Sequence, residues 1–252
     1  MNDGFIIRPG LPTDKVTQVL IGAEYTSYIH SIEALGINVT AVPPNPDIDA
    51  RIACHVDMSI FHAGSDHFFI TESSPIVKNP TMYNISSNMH IIEKCGVKYP
   101  SDVKTNACII GDKIFCSKTG TSKAVIEFSE SMGYGLVFVN QGYVKCSICV
   151  LDEKHIITDD KSIEAAAEKN GVDVFRYDGR EICLKGFDKG FIGGSCGKIS
   201  DKEIVFTGRF KTDEIERYID STGINVLYLS DDAPYDVGSI IPIREINNSS
   251  LN

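Results

Sequence analysis

No apolar run in this chain of 252 residues approaches 18 residues, which removes a membrane-spanning helix from consideration. A basic surplus is missing too. The 24 Lys and Arg stand against 34 Asp and Glu, a formal net charge of −10, so the footprint of a general nucleic-acid binder is absent. The opening residues, Met1-Asn2-Asp3-Gly4, show neither the basic nor the apolar region of an export signal, and the expected location is the cytoplasm. There is no phosphate-cradling loop: Gly186-Phe187-Asp188-Lys189-Gly190 is a turn without the flanking pattern. What is present is 42% hydrophobic residues, enough for a large buried core and too many for disorder. The length allows one or two domains.

Eight cysteines lie mostly in apolar runs such as Ala107-Cys108-Ile109-Ile110, as reduced thiols packed like small hydrophobes do. The single CxxC, Cys146-Ser147-Ile148-Cys149, has no second pair at zinc-ligand spacing. No metal and no cofactor are expected from it.

The chain repeats itself. Gly36-Ile37-Asn38-Val39, Gly171-Val172-Asp173-Val174 and Gly223-Ile224-Asn225-Val226 each follow a helical pattern and open an apolar run, and Gly133-Tyr134-Gly135-Leu136 is a looser copy. Glycine takes the left-handed position that ends a helix, and the β-branched residues after it begin a strand. Before the helices, residues 109–115, 150–157 and 199–206 read as hairpins with polar turns, and 60–70 is a fourth. Amphipathic helices are expected over 25–35, 162–169 after Asp159-Asp160, and 213–220 after Thr212 as N-cap. The unit is strand, turn, strand, helix, strand, in copies over about 19–58, 59–106, 107–147, 148–196 and 197–243. Pro75, Pro80 and Pro100 interrupt the second, whose helix has no clear place. One unit cannot bury both faces of its strands, whereas five in a closed ring can, and closure removes sheet edges.

Five ββαβ units resemble the pentein α/β-propeller, the fold of the guanidino-group-modifying enzymes. The look is nearest to dimethylarginine dimethylaminohydrolase, whose first unit runs from a helix through an apolar strand to a Pro-Pro step, as Ile37 to Pro44 do here. The resemblance spans the chain and implies an α/β, five-fold pseudo-symmetric α/β-propeller as one domain of residues 1–252. It also implies a central site where the unit ends converge. There a cysteine of the fifth unit attacks a guanidinium carbon, a histidine ending the third unit moves protons, and acidic residues hold the substrate.

Position by position the family's chemistry is missing. The cysteine slot falls at about Ile240 beside Ser239, and no cysteine follows Cys196. The histidine slot falls at about Tyr143, and the carboxylate slot at Val103 beside Asp102. Lys145, if it points inward, favours an anion over a guanidinium. What remains at the unit ends is Asp57, Asp102, Asn106, Lys145, Ser195 and Ser239 as candidate ligand-binding residues. Cys196, in Gly193-Gly194-Ser195-Cys196, is the candidate relocated nucleophile, and His55, two residues from Asp57 and on the same face of a strand, is its candidate base.

The expectation is a pentein that binds a small polar metabolite in its central cavity without guanidine chemistry. One alternative is a hydrolase using Cys196 with His55 and Asp57 on an amidine- or amide-like molecule. Another is a protein-interaction module, the use that the ribosome anti-association factor makes of this fold. Nucleic acid and membrane are not expected partners; the oligomeric state is open.

Overall fold

The computed structural model describes residues 3–85 and 88–246. Its elements run β1 (Asp3–Phe5), β2 (Val16–Gly22), α1 (Thr26–Ala34), β3 (Asn38–Val42); β4 (Ile60–Gly64), β5 (His67–Thr71), β6 (Met89–Ile92); and β7 (Cys108–Ile110), β8 (Lys113–Ser117), α2 (Lys123–Ser131), β9 (Gly135–Val139). Then come β10 (Ile148–Val150), β11 (His155–Thr158), α3 (Lys161–Lys169), β12 (Asp173–Arg176); β13 (Cys196–Lys198), β14 (Glu203–Phe206), α4 (Glu214–Ser221), β15 (Asn225–Tyr228); and finally β16 (Ile241–Ile246).

These strands form five small sheets. In four of them a hairpin is followed by a third strand parallel to the second, in the orders β4-β5-β6, β7-β8-β9, β10-β11-β12 and β13-β14-β15. A parallel return needs a crossover, and helices supply it in three of the four. Each such helix, like α1, ends on a glycine at positive φ: Gly36 at 81°, Gly133 at 88°, Gly171 at 77° and Gly223 at 75°. The recurring glycine phrase is therefore the helix stop it was read as.

Three details differ from the sequence expectation. The hairpin that each unit was to contain is made differently in the first sheet, whose order is β1-β16-β2-β3: β16, from the far end of the chain, pairs antiparallel with β2. That pairing covers an edge of β2 that would otherwise be open. The second unit uses two short 3-10 turns, Pro75–Lys78 and Pro80–Tyr83, instead of an α-helix. Proline starts each turn and lacks the N–H a continuing helix needs. α4 is preceded by Asp213, not capped by Thr212, and its cap makes no side-chain hydrogen bond. In α3, by contrast, Asp160 accepts from the backbone N–H of Ser162 and Ile163, which offsets two orphan donors.

The helices bury one stripe each. In α3, Ile163 and Ala167 are four apart and both buried. Full burial of an isoleucine contributes roughly 1.5–3 kcal/mol. The apolar clusters lie between neighbouring units. Leu20 and Val42 pack with Phe68 and Ile70; Phe61 and Phe69 with Ile114 and Val125; Phe115 and Val137 with Ile156 and Ile163; and Ile157 with Ile204 and Phe206. A further cluster joins Val19, Ile21 and Ile32 of the first unit to Val205, Val237 and Ile240 of the fifth. All five junctions, the one between the first and last units included, share buried side chains.

Candidate functional site

The segments that follow the third strands carry the polar residues inward. After β3 the chain runs through Pro43 and Pro44 to a 3-10 turn at Val56–Met58. His55 caps that turn and Asp57 lies within it, so the pair is brought together by a turn rather than by strand alternation. Both are buried, at 3% and 1% exposure. Gly238, at φ +70°, lies so close to His55 that a Cβ there would collide with it.

Asn106 ties three units together. Its Oδ1 accepts from the backbone N–H of Lys145 (2.7 Å) and of Cys146 (3.3 Å). Its Nδ2 lies 3.2 Å from Cys146 Sγ. The Cys146 thiol donates to Asp57 Oδ2 at 3.1 Å, and Ser239 Oγ–H to the same oxygen at 2.7 Å. Lys145 Nζ donates to Ser239 Oγ at 3.2 Å. Asp236 completes the group: its Oδ1 lies 3.7 Å from His55 Nδ1, and its carboxylate accepts from the backbone N–H of Phe191 and Gly238.

This floor opens on a cavity of about 690 Å³ lined by His55, Cys146, Asp236 and Tyr143, with Arg180 and Lys189 among its charged residues. Tyr143 forms one wall, its ring 5.8 Å from those of Tyr99 and Phe191. Its hydroxyl donates to Asp102 Oδ2 at 2.7 Å. The residues at the expected histidine slot and beside the expected carboxylate slot are thus hydrogen-bonded to each other.

Burial dominates the electrostatics. It pushes Asp236 up to about 6, against two backbone donors that pull it down. Burial also raises Asp57, opposed by His55, Ser239 and Lys145, and it lowers His55, which favours the neutral imidazole. The Cys146 thiol is raised well above its ordinary value by burial and then by the Asp57 carboxylate. Alone, such a thiol is a poor nucleophile at neutral pH.

Of the residues chosen from sequence, His55, Asp57, Asn106, Lys145 and Ser239 come together, and Asp102 stands beside the same cavity through Tyr143. Ser195 and Cys196 do not join them. Ser195 Oγ donates to Ile192 O at 2.9 Å. Cys196 is buried, with Gly193 O 3.9 Å from its sulfur, and it lines a separate cavity of about 60 Å³ with His62, Lys198 and Lys145. The sequence reading missed Cys146 and Asp236. Both stand in unit ends that the repeat already marked, but Cys146 was weighed only within its CxxC.

The chain matches a protein family over residues 20–241, described as a Family of unknown function (DUF6873). It belongs to this family. No curated protein matches it. Solved structures do. A DDAH from Pseudomonas aeruginosa, a Cys-to-Ser mutant complexed with citrulline, superposes with a TM-score of 0.58 at 12% identity, over 91% of this chain and 99% of that one. Inosamine-phosphate amidinotransferase from Streptomyces griseus gives 0.61 at 11% identity, over 96% and 98%. Agmatine deiminase from C. jejuni gives 0.54 at 8% identity, over 95% and 98%. At these identities the likeness is one of fold: this DUF6873 chain has the mixed α/β fold of the guanidino-group-modifying enzymes.

Proposed function

We propose that the five sheets close into a five-bladed ring, a single domain of five repeats over residues 1–252, and that the protein binds a small polar molecule in the central cavity without the chemistry of the guanidino-group-modifying enzymes. Two features support the ring: β16 pairs with β2, and buried clusters join every neighbouring pair of units. The eight free cysteines, seven of them buried, suit a reducing compartment such as the cytoplasm.

The observation that carries the binding reading is the 690 Å³ cavity, with His55, Cys146 and Asp236 and an aromatic wall in its lining and the hydrogen-bonded group of Asp57, Asn106, Lys145 and Ser239 behind them. Cavities of this size with a few converging polar groups are the usual small-molecule sites. His55 and Asp236 offer recognition atoms at the cavity surface, and the rings of Tyr143 and Phe191 suit a flat ligand. Attack on a guanidinium needs a thiolate at the end of the fifth unit, where this chain has Ser239 and Ile240.

One observation favours a hydrolase as a second reading. Cys146, rather than Cys196, lies with His55 and Asp57. The raised thiol counts against it, because the acidic neighbour stabilises the protonated form.

The test is a thermal-shift and calorimetric screen of guanidino, amidino, ureido and amide compounds, with citrulline among them, on wild type and Asp57→Asn. A saturable ligand whose affinity falls at least tenfold in Asp57→Asn supports binding at this floor. A folded wild type that responds to none of these classes contradicts it. Turnover lost in Cys146→Ala and kept in Cys196→Ala would favour the hydrolase.

A further inference from the structure

The most unusual chemistry in the molecule is the set His55, Asp57 and Cys146. Each offers a donor atom, a nitrogen, an oxygen and a sulfur, and the three lie within 4.8 Å of one another. All three side chains are buried. Buried polar atoms find partners almost without exception. Here two do not: His55 Nε2 and Asp57 Oδ1 have no hydrogen-bond partner. Two unpartnered donors of different residues beside a buried thiol are costly unless something binds them.

We propose that His55, Asp57 and Cys146 bind one divalent cation of the zinc class, with a fourth position open to the cavity. Thiolate and imidazole select zinc-like ions over magnesium or calcium, which take oxygen donors. Three protein ligands with a free fourth place is the pattern of zinc sites that act on substrate rather than hold structure. His55 and Cys146 line the 690 Å³ cavity, so that fourth place faces the space a ligand would occupy.

The surroundings fit the same ion. With Nδ1 of His55 3.7 Å from the Asp236 carboxylate, Nε2 is the nitrogen left for the metal. A carboxylate behind a ligating histidine fixes its ring and raises its basicity. Asn106 Nδ2, 3.2 Å from Cys146 Sγ, provides a donor to the thiolate. Ser239 holds the other Asp57 oxygen. Lys145 reaches the group through Ser239.

The sequence had no simple sign of this. The ligands come from two different unit ends, and the partner of Cys146 is not Cys149 of its CxxC but two residues of the first unit. The ion site stands whether or not the cavity also takes a small molecule. A bound dication would polarise a carbonyl or amidine at the fourth place, or lower the pKa of a water there.

The test uses the full-length protein, stripped of metal by a chelator under reducing conditions and titrated with cobalt(II) alone. Wild type is expected to take up one cobalt per chain, with a sulfur-to-cobalt charge-transfer band in the near ultraviolet and the strong visible absorption of four-coordinate cobalt. Cys146→Ser loses the charge-transfer band. Asp236→Asn keeps the band and binds roughly ten- to a hundredfold more weakly. Cys183→Ser, which alters the exposed thiol, changes nothing. Folded wild-type protein that takes up no stoichiometric cobalt, or takes it up without a sulfur band, overturns the site. So does a band that survives Cys146→Ser or vanishes in Cys183→Ser. The wild-type titration decides the matter even if a variant fails to fold.

Discussion

Two cavities hold similar residue types to different effect, and Lys145 and Cys146, neighbours in the chain, line one each. The larger is lined by His55 and Cys146, the smaller by His62 and Cys196. Cys146 has a carboxylate, an amide and an imidazole around it. Cys196 has a glycine carbonyl, the neighbouring Cys149 and the Lys145 ammonium that shares its cavity. The Asp57 and Asp236 carboxylates belong to the first group, whereas Lys198 in the second donates to the carbonyls of Leu151 and Asp201. A thiol takes its chemistry from its partners and not from a phrase such as Gly-Gly-Ser-Cys, so the two sulfurs differ although their cavities hold similar residue types.

The comparison breaks first at Gly194, which packs on the Asp236 carboxylate of the larger cavity. A Cβ on Gly194 would run into the Asp236 carboxylate, whereas one on Gly36 meets nothing within 4 Å. Gly194→Ala is expected to destabilise by about 3 kcal/mol, by overpacking in a rigid interior. Gly36→Ala is expected to cost about 1 kcal/mol, through its positive φ alone. Urea midpoints of the two variants check this, and equal shifts would contradict the packing around Asp236.

The histidines respond differently to acid. Burial holds His62 down at about 4, with Nε2 at 2.8 Å from Ser65 O, Nδ1 without a partner, and nearby His67 lowering it further. Its folded-state value lies below the unfolded 6.5. The stability it contributes is therefore complete above pH 6.5 and is lost as pH falls through about 4. The difference amounts to about 3 kcal/mol. His62→Gln is expected to remove that part of the acid sensitivity, measured as unfolding free energy at pH 7 against pH 4. An unchanged pH profile in the variant would contradict it.

The smallest effect is at Cys196. Replacing it with alanine leaves a small apolar hole, expected to cost about 1 kcal/mol, with ligand and cobalt binding unchanged. Cys146→Ala is expected to lose cobalt binding. Calorimetry on the pair distinguishes them, and a reversal would return the active thiol to Cys196.

The same contrast explains what could be read from sequence. Gly36, Gly171 and Gly223 mark helix ends by local backbone chemistry, so the repeat was visible and the unit ends with it. Asp57, Asn106, Lys145 and Ser239 were found because each stands at such an end. Partners that lie far apart in the chain were not visible. The Asp236 carboxylate is held by the N–H of Phe191, 45 residues away. β16 joins a sheet begun at the other end of the chain. Cys146 opens a CxxC and Cys196 closes a Gly-Gly-Ser-Cys phrase, and the choice between them depends on which residues the fold brings beside each sulfur.

Each cavity carries its own histidine, which makes one measurement direct. Histidine ring NMR spectra, followed while the strongest ligand of the screen is titrated, report on both cavities at once. The account predicts that the His55 resonances shift with saturation and those of His62 stay in place. Shifts at His62 with His55 unmoved would contradict it.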